Sequence, residues 1–296
     1  MVLNALKAQH QVYSGCLEEP EGVRERDGVT VVGFGCSARM LTKDRKNIAT
    51  KVEEFCRKNR IEIVITHRYK PCDIVSKIGK SYTFKKKIAV FHGRGEFDRL
   101  GRKLFARYAL RSWQLVAVSD AVKENMLGAF CGFRRDQIRV IYNALNLSAV
   151  KEQQFSKEKA RELLNIPKNE FVMGSIGRLV PNKGYLFLLK ALSNIEFKGK
   201  LVLIGDGRQR GELEASALAL GIHDKVIFAG NVDQAYRFVK AFDLFVLPSI
   251  EEAFGMVLLE AIAGEVPAIG SDAGGIPEVL GDNALLARAG TTNPWG

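Results

Sequence analysis

Residues 248–264 lead from the end of an apolar strand into an apolar helix and read Pro-Ser-Ile-Glu-Glu-Ala-Phe-Gly-Met-Val-Leu-Leu-Glu-Ala-Ile-Ala-Gly. Gly255 stands where the helix should begin. A helix N-terminus presents unpaired N–H groups and partial positive charge, which suits a phosphate. Glu252 in the loop and Glu260, a turn into the helix, are acceptors for hydroxyl groups. A helix start that suits a phosphate, next to two carboxylates that suit hydroxyl groups, predicts a binding site for a sugar nucleotide.

Strands and helices alternate on both sides of this stretch. In the second half, apolar runs predict strands at 171–176, 201–204, 226–229, 244–247 and 268–270, with helices at 210–220 and 233–241. In the first half, strands are expected at 11–17, 29–33, 61–66, 88–91, 115–118 and 139–142. This spacing predicts an α/β chain of two Rossmann-like, doubly wound parallel-sheet domains facing a cleft. The expected boundaries are 1–145, a linker region at 146–168, and 169–296.

The net charge of +11 is unevenly distributed. Residues 1–165 hold 32 Lys and Arg against 18 Asp and Glu, whereas the remainder hold 12 against 15. The asymmetry indicates that the first half faces a membrane surface, a phosphorylated substrate or nucleic acid, or that the charge is merely solubilising. Nucleic acid is not expected as a partner, because no recognition module with interleaved aromatics is present.

The cysteines and the apolar runs predict a cytoplasmic protein. The five cysteines are odd in number and form no Cys-x-x-Cys pair, which favours reduced thiols and argues against zinc. No apolar run approaches the roughly 18 residues that span a bilayer, and no signal peptide is expected at the N-terminus. A basic helix expected at 101–114 either covers the sheet or rests on anionic lipid through Phe105, Tyr108 and Trp113.

Two histidines follow strands of the first half. His67 is followed directly by Arg68, and one residue separates His92 from Arg94. Ligands gather at the carboxyl ends of parallel strands, which is where both histidines are expected. A lone histidine is more often a packed or surface residue, but two at such positions indicate a functional edge. The run Gly-Phe-Gly-Cys-Ser-Ala at 33–38 matches a dinucleotide fingerprint formally. Because no acidic residue ends the following strand, we interpret it as a turn.

The loop at 177–184 carries two cations at a strand's carboxyl end. It is not a Walker A loop, since the glycine spacing differs and no Ser or Thr follows the lysine. Arg178 and Lys183 could clamp a diphosphate without metal, although chance surface cations would give the same pattern.

Several motifs in order resemble the GT-B retaining glycosyltransferases of family 4. They are Arg178-Leu-Val-Pro-Asn-Lys-Gly184, Gly205-Asp-Gly207, Pro248-Ser249, Glu252-Ala-Phe-Gly with Glu260, and Gly274-Gly-Ile-Pro-Glu278. The resemblance is strong over roughly 170–290 and weaker in the first half, at Val118-Ser-Asp120 and Val140-Ile-Tyr-Asn143.

The resemblance implies a nucleotide-sugar donor held by the second domain and a saccharide or lipid-linked acceptor held by the first. It implies retention of configuration without a metal or other cofactor, with the leaving phosphate helping to remove the acceptor proton. His92 would lie near the donor sugar, Glu252 would bind its hydroxyls, Glu260 would bind the ribose, and Arg178 and Lys183 would stabilise the diphosphate. The expected donor-binding set is completed by Gly177, Gly205, Asn231, Val232, Ala253, Phe254, Gly255, Met256, Gly274 and Gly275.

The ends of the chain depart from the family pattern. The usual first strand with its glycine loop and the closing C-terminal helices are not evident, so we expect a trimmed GT-B body that keeps the donor site. The expected function is sugar transfer in bacterial lipopolysaccharide or another surface polysaccharide, in the cytoplasm or at the inner face of the membrane. The alternative is a non-catalytic remnant that binds a nucleotide-sugar or a partner.

Overall fold

A computed structural model describes residues 6, 8–26, 28–78, 82–281 and 285–291. The chain divides into two compact units. The first unit comprises Met1–Val118 and Val122–Ile141, and the second unit comprises Ser119–Ala121 and Tyr142–Gly296. The sequence pattern of residues 1–10 predicts the end of a helix, and most of these residues lie outside those that the structure describes. The domain boundaries read from the sequence stay a prediction.

The first unit contains two sheets. The first sheet has the strand order β1-β3-β2, with β1 parallel and β2 antiparallel to β3. The second sheet has the order β4-β5-β6-β7, and all neighbouring strands in it are parallel. The strands are β1 (Tyr13–Cys16), β2 (Gly22–Arg26), β3 (Val29–Gly33), β4 (Ile63–His67), β5 (Lys86–Phe91), β6 (Gln114–Ala117) and β7 (Ile138–Val140). Every residue of β2 is exposed, which is why no apolar pattern predicted this strand.

The fingerprint-like run after β3 is a turn, as expected. A Cβ on Gly33 would lie 1.9 Å from the carbonyl oxygen of Pro20. The N–H groups of Gly35 and Cys36 donate to the backbone oxygens of Glu19 and Leu17, at 2.8 and 2.7 Å. Because these amides already have partners within the chain, they are not free to hold a phosphate.

Within the part of the chain that the structure describes, five α-helices accompany these sheets: α1 (Met40–Lys43), α2 (Arg45–Lys58), α3 (Tyr69–Ser76), α4 (Leu100–Ala109) and α5 (Asp120–Gly128). Helix α4 ends five residues before the predicted 114, because Leu110 and Trp113 turn inward and are buried. The expectation that Trp113 enters lipid is therefore wrong. Leu100, Leu104 and Tyr108 remain exposed at four-residue intervals. Among the described residues, no helix has the length and apolar character to cross a membrane.

The second unit contains a six-stranded parallel sheet of order β10-β9-β8-β11-β12-β13. The strands of this sheet are β8 (Val172–Ile176), β9 (Lys200–Ile204), β10 (Val226–Gly230), β11 (Leu244–Leu247), β12 (Ala268–Ser271) and β13 (Leu286–Ala287). Strands β8 to β12 match the five predicted apolar runs closely, whereas no run predicted β13. Strands β8, β9 and β11 are mostly buried, as expected where both faces of a parallel sheet are covered.

Helices α6 (Leu147–Gln153), α7 (Lys157–Leu163), α8 (Tyr185–Ser193), α9 (Arg210–Ala219), α10 (Met256–Ala263) and α11 (Ile276–Leu280) belong to the second unit. The helix predicted at 233–241 is instead a 3₁₀ segment, Ala235–Ala241. Helices α6 and α7 lie in the region predicted as a linker, yet Arg161 of α7 is only 2% exposed. Its guanidinium pairs with Asp243 at 2.7 Å and donates to the Ala241 oxygen at 2.9 Å. Helix α7 is thus anchored to the core of the second unit.

Candidate functional site

The strand order of the second unit places a switch point between β8 and β11. From β8 the sheet grows through β9 and β10 on one side and through β11, β12 and β13 on the other. In open α/β sheets the crevice beyond the carboxyl ends of strands at such a point is the usual ligand site. The loops that follow β8 and β11, residues 177–184 and 248–255, flank it. These loops hold most of the residues selected from the sequence.

The two loops are held together through their backbones. The carbonyl oxygen of Asn182 accepts hydrogen bonds from the N–H groups of Ile250 at 2.9 Å and Glu251 at 3.2 Å. Gly184 has φ +70°, and a Cβ there would lie 1.9 Å from the Pro248 oxygen. Glycine is required at this position for both its left-handed conformation and its close approach.

Lys183 and Glu252 form an ion pair across this switch point. Lys183 Nζ lies 2.6 Å from Glu252 Oε2, and the two side chains are only 18% and 15% exposed. Ser249 Oγ donates to the same carboxylate oxygen at 3.3 Å. The sequence selected each residue for a different part of the donor, and it did not predict that they pair. A ligand anion that reaches Lys183 therefore competes with Glu252.

Arg178 lies in a separate pocket of the second unit, of about 480 Å³. Its described lining residues are Arg178, Val180, Asn182, Asp206, Gly207 and Arg208, and Lys183 is not one of them. Asp206 is already engaged, because Arg210 Nη1 lies 3.1 Å from one of its oxygens and Gly207 N–H donates to the other at 2.6 Å. The hydrogen bond from the Gly207 N–H, and after it the hydrogen bond from Arg210, lowers the pKa of Asp206 below its ordinary value. Arg178 and Arg208 are exposed and form no ion pair with another described residue.

The sequence did not select Asn182 and Arg208. Asn182 stands in the same loop as Arg178, and Arg208 follows the carboxyl end of β9, so the strand-end rule that selected Arg178 would have indicated both.

The predicted glycines shape these loops by close backbone packing. Gly205 has φ +137°, and its Cβ would lie 2.0 Å from the Gly177 oxygen. A Cβ on Gly274 would lie 1.8 Å from the Glu252 oxygen, and one on Gly275 would lie 2.5 Å from the Ala253 oxygen. The Gly275 N–H also donates to the backbone carbonyl oxygen of Glu252 at 3.1 Å. Gly274 and Gly275 fix the backbone that carries Glu252, while the contact of all these glycines with a donor stays a prediction.

Helix α10 begins at Met256, after Gly255 at φ +99°, and no side chain caps it. The preceding Ala253 is half-buried and Phe254 is buried. Glu260 lies inside the helix and is half-buried, and its carboxyl group has no hydrogen-bond or ion-pair partner among the described residues. Burial raises the pKa of Glu260 to about 7. A desolvated carboxyl group without a partner is suited to accept hydrogen bonds from ligand hydroxyls.

Asn231 and Val232 follow β10 at the edge of the sheet. Asn231 is exposed, whereas Val232 is half-buried and packs against the core of the second unit. No contact among the described residues joins them to Lys183, Glu252 or Glu260, so their assignment to the donor base stays a prediction.

In the first unit, the two histidines selected from the sequence are in contact. His67 ends β4 and His92 follows β5; their Nδ1 and Nε2 atoms lie 2.7 Å apart, and the rings are stacked with centroids 5.0 Å apart. Desolvation, with Arg68 nearby, lowers the pKa of His67. Desolvation lowers the pKa of His92, and the nearby charges of His67 and Arg68 lower it further. Both pKa shifts favour the neutral form of the rings, in which one ring donates its N–H to the other.

Family models match both halves of the chain. The model described as Glycosyltransferase Family 4 matches residues 1–149, and the model described as Glycosyl transferases group 1 matches residues 156–291.

Individual relatives match in sequence and in fold. The lipopolysaccharide core biosynthesis glycosyltransferase LpsD of Rhizobium meliloti is 39% identical over 133 residues, which cover 44% of this chain and 38% of that protein. The sucrose-phosphate synthase of Thermosynechococcus elongatus superposes with a TM-score of 0.82 at 20% identity, covering 99% of this chain and 79% of that one.

Anabaena HepE in complex with UDP and glucose superposes with a TM-score of 0.76 at 22% identity, covering 90% of this chain and 74% of that one. The chain spans about half the length of the curated relatives it matches first. The structural likenesses support two Rossmann-like domains, as predicted, and the family models decide the assignment: this chain belongs to glycosyltransferase family 4, with the GT-B fold.

Proposed function

We propose that this chain transfers a sugar from a nucleotide-sugar donor to a saccharide or lipid-linked acceptor with retention of configuration. The Lys183–Glu252 pair at the switch point of the second sheet carries the proposal. It places one cation for a phosphate and one carboxylate for sugar hydroxyls side by side, at the sheet position where ligands bind.

The donor would exchange partners within this pair. Its diphosphate contacts Lys183 and Arg178, which bind phosphate oxygens through charge-assisted hydrogen bonds. Glu252, released from Lys183, accepts hydrogen bonds from hydroxyls of the transferred sugar. Glu260 has no other partner and accepts from the ribose hydroxyls. Of these charged groups, Lys183 and Glu252 are paired with each other in the described structure, so the donor must compete for them.

Transfer requires that the bond between the anomeric carbon and the diphosphate oxygen breaks while the acceptor oxygen bonds to the same carbon from the same face. The leaving diphosphate takes the acceptor proton. Lys183, Arg178 and the N-terminus of α10 stabilise the charge that develops on it, which is where electrostatic catalysis is most effective. We propose that these groups suffice without a metal ion. We assign His92, which is hydrogen-bonded to His67, to the orientation of the transferred sugar.

Surface polysaccharide synthesis is the proposed setting. It rests on the likeness to LpsD, whose name assigns that relative to lipopolysaccharide core biosynthesis. The exposed stripe of α4, Leu100, Leu104 and Tyr108, adds a proposed contact with an anionic membrane surface. Lys103 and Arg107 on the same helix supply charge for lipid headgroups. Sedimentation with vesicles of neutral and anionic lipid tests this contact: Leu104→Ser with Tyr108→Ser should abolish it, and equal binding by the variant would contradict it.

Calorimetry with UDP-, GDP- and ADP-sugars tests the proposed function. One donor should bind, and Lys183→Ala and Glu260→Ala should each weaken that binding by about 10-fold or more, because each removes a contact with a charged group. Lys198→Ala, at a lysine 85% exposed, is the matched control and should bind like wild type. Wild-type affinity in both site variants would contradict the assignment.

Turnover separates an enzyme from a binding protein. Donor hydrolysis or transfer to an acceptor panel should persist with EDTA, and NMR of the product should show the donor's anomeric configuration. Binding without turnover across the panel would contradict the catalytic proposal, and an inverted product would contradict retention.

A further inference from the structure

The first unit contains a pocket of its own, of about 660 Å³, which is large enough for a small ligand. It opens beyond the carboxyl ends of β1 and β4. Its walls are formed by residues 15–19, by residues 67–71 at the end of β4 and the start of α3, by residues 94–96, and by Arg102 of α4. We call it the first-unit pocket. The proposed donor site lies in the other unit and uses none of these residues.

Four cations converge on the first-unit pocket: Arg68, Lys70, Arg94 and Arg102. Arg102 is engaged, since its guanidinium lies 3.9 Å from Glu96 and 4.6 Å from the centre of the Tyr69 ring. The side chains of the other three form no ion pair or hydrogen bond with a described residue.

The carboxylates of the pocket do not balance these cations. Glu96 is shared with Arg102, and Glu19 faces Arg24 at 3.5 Å and Arg26 at 3.9 Å. Only Glu18 lines the pocket without an ion pair to another described residue. Three unpaired cations around one cavity, against one unpaired carboxylate, create a field that favours an anion.

The backbone of Arg68 is held in an unusual conformation. Its φ of 67° and ψ of 174° lie in a region that essentially only glycine adopts readily. The Arg68 N–H donates to the Val90 oxygen at 2.9 Å, which fixes it to β5. Strain of this kind clusters at ligand-binding positions, and a glycine would relieve it. A long cationic side chain at this position is therefore a feature that folding alone does not explain.

The remaining walls are also fixed. Tyr69 packs edge-on against Phe105, and Arg45 stacks over its ring at 5.5 Å. Gly95, next to Arg94, donates its N–H to Asn125 Oδ1 at 2.9 Å. The cations thus project from an ordered frame, which reduces the entropy lost when they bind a ligand.

The geometry points to the first-unit pocket as the site of an anionic acceptor: a saccharide whose phosphate or carboxylate is bound by Arg68, Lys70 and Arg94. This inference rests on the proposed function, because it assigns the pocket to the acceptor of that reaction. His67 lines the pocket and bonds to His92, which was placed near the transferred sugar. The anion would hold the acceptor so that one of its hydroxyls lies at this histidine pair.

Calorimetry with glucose 6-phosphate, glucuronate and glucose tests the inference, using protein saturated with the nucleotide that it binds. The two anionic sugars should bind at least about 10-fold more tightly than glucose, since an arginine pair to phosphate or carboxylate is a strong contact. A higher affinity for glucose 6-phosphate identifies phosphate as the group, and a higher affinity for glucuronate identifies carboxylate. Equal affinity of all three sugars would overturn the inference.

Arg68→Gly is the decisive variant, because it removes the positive charge and also relieves the backbone strain at this position. It should raise the melting temperature, yet reduce binding of the anionic sugars to the level of glucose. Arg60→Gly is the matched control: Arg60 also has a positive φ, of 52°, and lies outside the pocket. It should leave anion binding unchanged. Wild-type anion binding by Arg68→Gly would overturn the inference, whereas binding of the UDP-, GDP- and ADP-sugars reports separately on the proposed function.

Discussion

The ammonium group of Lys183 lies 2.6 Å from a carboxylate oxygen of Glu252, 69 positions further along the chain. The pair joins the loop after β8 to the loop after β11, so we expect it to contribute to stability in addition to its proposed role in donor binding. Lys183→Ala and Glu252→Ala should each lower the free energy of unfolding by about 1–3 kcal/mol, because each leaves a largely buried charge unpaired. The double variant should lose less than the sum, by about 0.5–3 kcal/mol.

Urea unfolding of the four proteins in this cycle measures the coupling. The pair Lys198–Glu196, 85% and 84% exposed, provides a control cycle in which solvent should reduce the coupling to about 0–1 kcal/mol. A coupling for Lys183 and Glu252 no larger than that of the control would contradict their placement as a buried pair.

Glu260 should make stability decline as pH rises from about 4.5 to about 7. Burial raises its pKa from the ordinary 4.5 to about 7 in the folded chain, so in this window the folded state holds a proton that the unfolded state has lost. Glu260→Gln removes the titrating group and should flatten the decline. Urea unfolding at several pH values measures it.

Glu265→Gln is the control for this prediction. Lys151 lowers the pKa of Glu265, so its contribution is present at higher pH and lost as pH falls, the opposite sign. If wild type and Glu260→Gln had parallel stability profiles between pH 4.5 and 7, the desolvation of Glu260 would be refuted.

Gly184→Ala should separate the two loops of the proposed donor site. Its φ of +70° is unfavourable for alanine, and the added Cβ would lie 1.9 Å from the Pro248 oxygen. Gly221→Ala is a close control, because Gly221 has φ +67° and nothing within 4 Å of its Cβ. The control should lose about 1 kcal/mol of unfolding free energy from the backbone alone, and Gly184→Ala clearly more. Calorimetry should show donor binding lost only in Gly184→Ala, and equal losses of stability in the two variants would contradict the packing argument.

The sequence predicted the second sheet well because its strands are buried on both faces. Such strands are continuous apolar runs, and the run predicted at 171–176 became β8 with a shift of one residue. The exposed β2 gave no such pattern. Helix α4 was predicted too long, because a basic amphipathic pattern does not show where Trp113 turns into the core.

Pairs of residues distant in the chain were harder to predict than the residues themselves. Lys183 and Glu252 were both selected, but their contact depends on β8 lying next to β11, which is a property of strand order. His67 and His92 meet because β4 and β5 are parallel neighbours with His67 opposite Val90. The rule that ligands gather at strand ends located His67, His92 and Lys183, and Glu252 was selected from the loop before its helix. Strand order and register, which the sequence did not give, bring each pair together.

The histidine pair should lose stabilising energy as pH falls below 6.5. Desolvation depresses the pKa of both His67 and His92 in the folded chain, so below the ordinary pKa of 6.5 the unfolded state takes up protons first. Stability should therefore rise with pH up to about 6.5, and the variant His67→Gln with His92→Gln should lack this rise. In NMR titrations, the ring signals of both residues should have midpoints below 6.5 and should shift together, because one N–H is shared across 2.7 Å. A midpoint at or above 6.5 for either ring would refute the neutral pair and, with it, the proposed orienting role of His92.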